Sequence, residues 1–176
     1  MGKRLYAALG AAALGAGLLS GCGTVQTIAV PWLHTDTATK TVSLTLNAGY
    51  NSANGYANFN GYANGQMTIQ VPLGYRVLVT YNNVGGIPFG FGVYNQFQQL
   101  AFQGAGDSVS SMLANAGAGV LPGQHAKWQF TASKVGSYRI ENLLDRIDQQ
   151  TRPENFGMWV RFDVVRGGAP KVMVSN

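Results

Sequence analysis

In Gln66–Val71 the apolar residues Met67, Ile69 and Val71 stand at every second position, and Tyr75, Val77, Val79 and Tyr81 do the same in Tyr75–Tyr81. A period of two belongs to an extended chain that buries one face and wets the other. Pro72, Leu73 and Gly74 separate the two runs, so the spacing predicts two strands joined by a turn and paired as neighbours. The same alternation returns in Thr41–Leu46, Lys127–Thr131, Ser137–Glu141 and Met158–Val165, and in Lys171–Val174, which reads as a final edge strand. Asn82-Asn83, Gly85-Gly86 and Pro122-Gly123 supply turn chemistry between them. Asp107–Ala118 suits one short helix with Asp107 as its N-cap. Seven or eight short strands with so little helix predict an all-β fold, an antiparallel Greek-key β-sandwich with one or two short helices.

The N-terminus has a different logic. Lys3 and Arg4 precede Leu5–Leu19, a run of mostly Leu, Ala and Gly. That run is shorter than the roughly 20 residues a bilayer span takes, and it has the layout of a secretory signal. Leu19-Ser20-Gly21-Cys22 resembles a bacterial lipobox, which implies acylation of the Cys22 thiol and removal of residues 1–21. The expected organisation is a signal peptide over 1–21, a lipidated tether over 22–40 and a folded domain over 41–176. The expected location is extracytoplasmic, with membrane lipid bound through Cys22. Two or more acyl chains make a stable anchor where one does not.

Charge and cysteine content narrow the functions. The formal net charge is +5 for the whole chain. Beyond residue 21 there are ten basic and seven acidic residues, and the basic ones are scattered from Lys40 to Lys171. Such scatter reads as a solvated surface and points away from nucleic acid. Cys22 is the sole cysteine, so no disulfide can form within the chain. Charged residues make up 11% of the sequence, against a usual quarter. With few carboxylates to protonate, the fold is expected to tolerate an acidic exterior. No serine lies in a nucleophile motif with a histidine base, and Gly104-Ala105-Gly106 lacks the Lys-Ser/Thr of a phosphate loop. Asp145 and Asp148 read as a solvated helix face. The chain is therefore not expected to be an enzyme.

Two segments carry unusual composition. Residues 49–65 contain Asn-Gly-Tyr-Ala-Asn twice, at 54–58 and 60–64. Their aromatic rings favour a packed loop over a free linker, and Asn and Gly suit its positive-φ positions. Residues 87–102 carry Phe89, Phe91, Tyr94, Phe97 and Phe102. These read first as core and second as a partner-docking patch built from Phe89, Phe91, Tyr94 and Phe97.

Asn54–Ile69, Asn82–Pro88, Phe130–Tyr138 and Gly157-Met158-Trp159 together resemble sulfocyanin, a blue-copper protein of the cupredoxin fold, over about residues 42–165. The resemblance implies a cupredoxin-like domain with relatives in electron transport. A blue-copper ion takes two imidazoles, a thiolate and a weak axial Met. The family's ligand positions fall on Phe89, Asn142, Pro153 and Met158, and of these only Met158 keeps a family ligand. The expectation is a cupredoxin-like domain without cofactor or metal, its pocket filled by a ring and by a repacked loop in which Leu143, Leu144 and Ile147 form a helical turn. It would act through a protein partner in a respiratory or copper-handling redox complex, as an accessory or assembly factor. The alternative is an electron-transfer protein holding copper through a non-thiolate site. His34 and His125 are the only histidines, and a set of His125, Met112 and Met67 is the imaginable ligand group.

Overall fold

The computed structural model describes residues 24–106, 119–143 and 157–175. Ten strands run in chain order: β1 Val25–Ile28, β2 Leu33–Asp36, β3 Thr41–Ala48, β4 Met67–Pro72, β5 Arg76–Asn83, β6 Gly92–Tyr94, β7 His125–Thr131, β8 Gly136–Glu141, β9 Trp159–Val165 and β10 Lys171–Ser175. They form two sheets, ordered β1-β10-β4-β9-β8-β6 and β2-β3-β5-β7. The β-sandwich read from the alternation is the fold observed. Both sheets are mixed rather than purely antiparallel, because β3 lies parallel to β5 and β4 parallel to β9. The inward parity of each strand supplies the core: Val42, Leu44 and Leu46 from β3, Met67, Ile69 and Val71 from β4, Val77, Val79 and Tyr81 from β5, and Val160, Phe162 and Val164 from β9. The expected helix over 107–118 and the repacked loop around Leu144 and Ile147 lie outside the described residues, as do Cys22, Met112 and Pro153.

Three expectations change. β4 and β5 follow each other in the chain but lie in opposite sheets. Pro72 explains why they do not form a hairpin. A two-residue hairpin needs residues 72 and 75 to exchange two hydrogen bonds, and proline has no N–H to give. Tyr75 N–H does donate to Pro72 O (3.3 Å), but Tyr75 O accepts from Ala132 N–H (2.9 Å), which carries the chain across to the second sheet. β10 is not an edge strand, since β1 pairs along its outer side. The segment expected as a tether supplies β1 and β2, which close one edge of each sheet, and Ile28, Val30, Trp32 and Leu33 pack against the core.

Gly136 and Tyr138 form a corner at the start of β8. The Tyr138 hydroxyl donates to Lys134 O at 2.9 Å. A Cβ at Gly136 would stand 3.0 Å from that hydroxyl oxygen, so the Gly-x-Tyr pair is a packing requirement. Burial pushes the Tyr138 phenol above its usual range.

Candidate functional site

The loop end of the sandwich is organised by polar residues at core parity. Along β5 the inward positions are Val77, Val79, Tyr81 and then Asn83, which is 1% exposed. Its amide donates to Ile87 O and Val120 O, both at 2.7 Å, and its carbonyl accepts from Gly85 N–H at 2.9 Å. Asn83 therefore fastens the Val84–Pro88 turn to Val120. Phe89 follows that turn and bonds Val120 in both directions, at 3.2 and 2.9 Å. Its ring is buried and lies against two glycines. A Cβ at Gly85 would come 2.7 Å from a Phe89 ring carbon, and one at Gly49 would come 2.6 Å from the Gly85 Cα. Gly49 also has φ +70°, a conformation glycine tolerates best.

Asn142 extends the inward parity of β8 beyond Tyr138 and Ile140, and it is buried with Met158. Its carbonyl accepts from Gly90 N–H at 2.8 Å, and its amide donates to Met158 Sδ at 3.6 Å. Its own N–H donates to Met158 O at 3.1 Å. Gly90 is held on its other side by the Tyr81 hydroxyl, which donates to Gly90 O at 2.9 Å. Three of the four positions singled out in the sequence thus converge: Phe89, Asn142 and Met158 sit within one backbone-bonded cluster. Phe91 continues inward into an aromatic group with Phe59, Tyr81 and Trp128, the Phe91–Trp128 centroids being 4.7 Å apart.

The model of the sulfocyanin (SoxE) domain matches residues 29–165. The chain belongs to the sulfocyanin family. A comparison with curated proteins finds no match. Among solved structures, the multi-copper oxidase from Pseudomonas thermotolerans aligns with a TM-score of 0.50 at 13% identity, over 73% of this chain and 30% of the oxidase. The multicopper oxidase from Campylobacter jejuni, a metallo-oxidase, aligns with a TM-score of 0.50 at 13% identity, over 78% of this chain and 29% of that one. The chain spans less than half the length of the solved structures it matches first. At such identity the likeness concerns the fold.

Measured against the sulfocyanin ligand pattern, this donor set is chemically different. A phenyl ring, a carboxamide and a thioether stand at the three described positions, in place of the imidazole, thiolate and thioether of a blue-copper site. The thioether already accepts a hydrogen bond from Asn142. These residues do not fit a type 1 copper ion. The two histidines do not come together. His34 and His125 are exposed and lie on β2 and β7, the two outer strands of the four-stranded sheet. The register places them three strand spacings and four residues apart, a Cα separation on the order of 20 Å. Met67 is fully buried in the other sheet. Among the described residues no three His, Cys, Asp or Glu side chains cluster as metal ligands.

The partner patch expected from Phe89, Phe91, Tyr94 and Phe97 is not a surface. Phe89, Phe91 and Tyr94 are buried, and only Phe97 is exposed. Phe89 and Phe91 turn inward into the core, where each ring finds contacts that a surface site lacks, whereas Tyr94 is covered outside the core cluster, over Gly92. Among the described residues, the large apolar side chains that face solvent at the Phe89 end are Tyr50, Val84 and Leu121. Their turns are tied together: Val84 N–H donates to Ala48 O (3.0 Å), and Gly123 N–H donates to Asn83 O (2.9 Å). Sequence reading missed these three because each stands alone among turn residues, and alternation marks strands rather than loop tips.

Proposed function

We propose that this sulfocyanin-family domain acts without type 1 copper, as a membrane-anchored extracytoplasmic protein that binds a partner in a respiratory or copper-handling complex. The observation that carries this reading is the Asn142 carboxamide, bonded at once to Gly90 and Met158 where the family places a thiolate. A side chain so engaged fixes the loop end as packed structure, and no residue among Phe89, Asn142 and Met158 transfers protons or electrons at neutral pH. What such an end still offers is shape and exposed apolar surface, supplied here by Tyr50, Val84 and Leu121. On this reading the domain is an accessory or assembly factor rather than an enzyme, and lipid on Cys22 holds it at the membrane.

The test uses the full chain in its own membrane. Cys22→Ser should release the protein to the soluble fraction. Cross-linking of the wild-type chain should retain subunits that carry haem or copper, and Val84→Asp with Leu121→Asp should lose them while leaving the melting temperature unchanged. Membrane attachment that survives Cys22→Ser, or capture indifferent to the paired substitutions, would contradict the proposal.

A further inference from the structure

The outer face of the six-stranded sheet carries a groove of about 370 Å³ unrelated to the Phe89 end. Its floor is the antiparallel pair β8–β9, where Ser137 stands opposite Asp163, Arg139 opposite Arg161 and Glu141 opposite Trp159. Like charges directly opposite each other on a sheet face are unfavourable. Here two guanidiniums occupy one rung, and among the described residues neither has an ion-pair partner, while Glu141, which also lines the groove, is engaged in a contact of its own. Asp163 is engaged by the Ser137 hydroxyl, which donates to Oδ1 at 2.7 Å.

Arg139 is held in place. Its guanidinium carbon lies 4.1 Å from the centroid of the Trp159 ring. Trp159 is seated on Gly65, where a Cβ would fall 2.3 Å from a ring carbon, and Gly65 N–H donates to Trp159 O at 3.0 Å. The indole is thus fixed by Gly65 and holds the Arg139 guanidinium over its ring, and a guanidinium so held keeps N–H donors with which to meet a ligand. The groove wall is equally rigid. Asn95 Oδ1 accepts from Phe97 N–H (2.9 Å) and Gln99 N–H (3.1 Å), which locks the turn that places Gln96 and Gln98 along the groove.

We propose that this groove binds a phosphate group between Arg139 and Arg161. A dianionic phosphate brings three acceptor oxygens and enough charge to offset both guanidiniums, whereas one carboxylate neutralises only one of them. Ten basic against seven acidic residues beyond residue 21 leave a positive net charge that favours the approach of such an anion. Free phosphate and the phosphomonoester headgroup of phosphatidic acid share this chemistry.

The full chain in neutral detergent is titrated calorimetrically with inorganic phosphate at constant low chloride, and separately with short-chain phosphatidic acid below its micelle concentration. The expected result is one saturable phosphate site, weakened at least tenfold by Arg139→Gln and by Arg161→Gln. Arg161→Lys should weaken it less, since it keeps the charge and loses the fork. Both exposed arginines should be replaceable without lowering the melting temperature. Phosphatidic acid competing for the same site identifies the headgroup as the source, and phosphate binding without such competition identifies the free anion. Absence of saturable phosphate binding, or binding untouched by both Gln substitutions, overturns the site.

Discussion

Two buried asparagines, Asn58 in the Asn/Gly-rich loop and Asn142 at the loop end, use the same carboxamide for different purposes. Asn58 is bonded to backbone alone. It donates to Asn51 O (2.8 Å) and Ala53 O (2.7 Å) and accepts from Tyr50 N–H (3.2 Å) and Gly61 N–H (3.0 Å). Its bonds fold the loop on itself and specify one conformation. Asn142 instead joins a backbone amide, Gly90 N–H, to a side-chain sulfur, Met158 Sδ, and closes a pocket beside Phe89. A thioether is a weak acceptor, so its amide–sulfur bond adds less than the amide–carbonyl bonds of Asn58. The first asparagine belongs to the architecture of the fold. The second stands where the sulfocyanin pattern places a ligand, in a pocket that needs some side chain to fill it.

The contrast orders the consequences of mutation. Phe89→Ala removes a buried ring from between Gly49, Gly85 and Val120 and should cost about 4 kcal/mol, read by thermal or denaturant unfolding. A loss under about 1 kcal/mol would mean that the pocket collapses easily and is not tightly packed. Asn58→Ala strands two backbone N–H and two C=O groups and should cost about 3 kcal/mol, at roughly 0.8 kcal/mol for each of the four bonds. Asn142→Ala orphans Gly90 N–H and should cost about 2 kcal/mol. An Asn142 cost above that of Asn58 would reverse the distinction drawn between them.

A substitution of a different kind sharpens the contrast. Asn142→Cys places a thiol beside Met158 and should still give no intense visible absorption with Cu(II), because Phe89 supplies no imidazole.

The pH response should be small on the acid side and larger on the alkaline side. Among the described carboxylates, Asp36 is the one held below its usual range, first by hydrogen bonds from Thr39 and then by that from Ala38 N–H. A lowered value gives stability that is present above about pH 4 and lost as pH falls through the folded value. Asp36 is fully exposed, so acid unfolding should begin only well below neutrality, with little change on Asp36→Asn. Tyr138 is raised by burial, so its contribution is complete below about pH 10 and declines as pH climbs through the folded value. Tyr138→Phe should flatten that alkaline decline in a melting-temperature series.

The strands were legible because alternation records burial directly. Met67, Ile69 and Val71, or Val77, Val79 and Tyr81, announce which face is buried. Sheet assignment was not legible, because a strand's period says nothing about its neighbour. Only the missing N–H of Pro72 signals that β4 and β5 part company. β1 and β2 were overlooked for a related reason: edge strands with one contact partner need little apolar alternation, and three of the four residues of each are exposed. At the loop end, the sequence supplied the positions Phe89, Asn142 and Met158 through the family pattern, but not what they do. The readable clue was polar identity at core parity. Asn83 continues Val77-Val79-Tyr81, and Asn142 continues Tyr138-Ile140, and a buried amide in that phase must bond something specific. The arginine rung was hidden because its two members lie 22 positions apart and meet only through the β8–β9 register.

The central claim is that the loop end has become packed structure instead of a copper site. It is tested most directly by adding one equivalent of Cu(II) to the full chain and recording electron spin resonance and visible absorption after removal of loosely held metal. No retained copper and no intense visible band are expected. One copper per chain, lost on Met158→Leu, would contradict it.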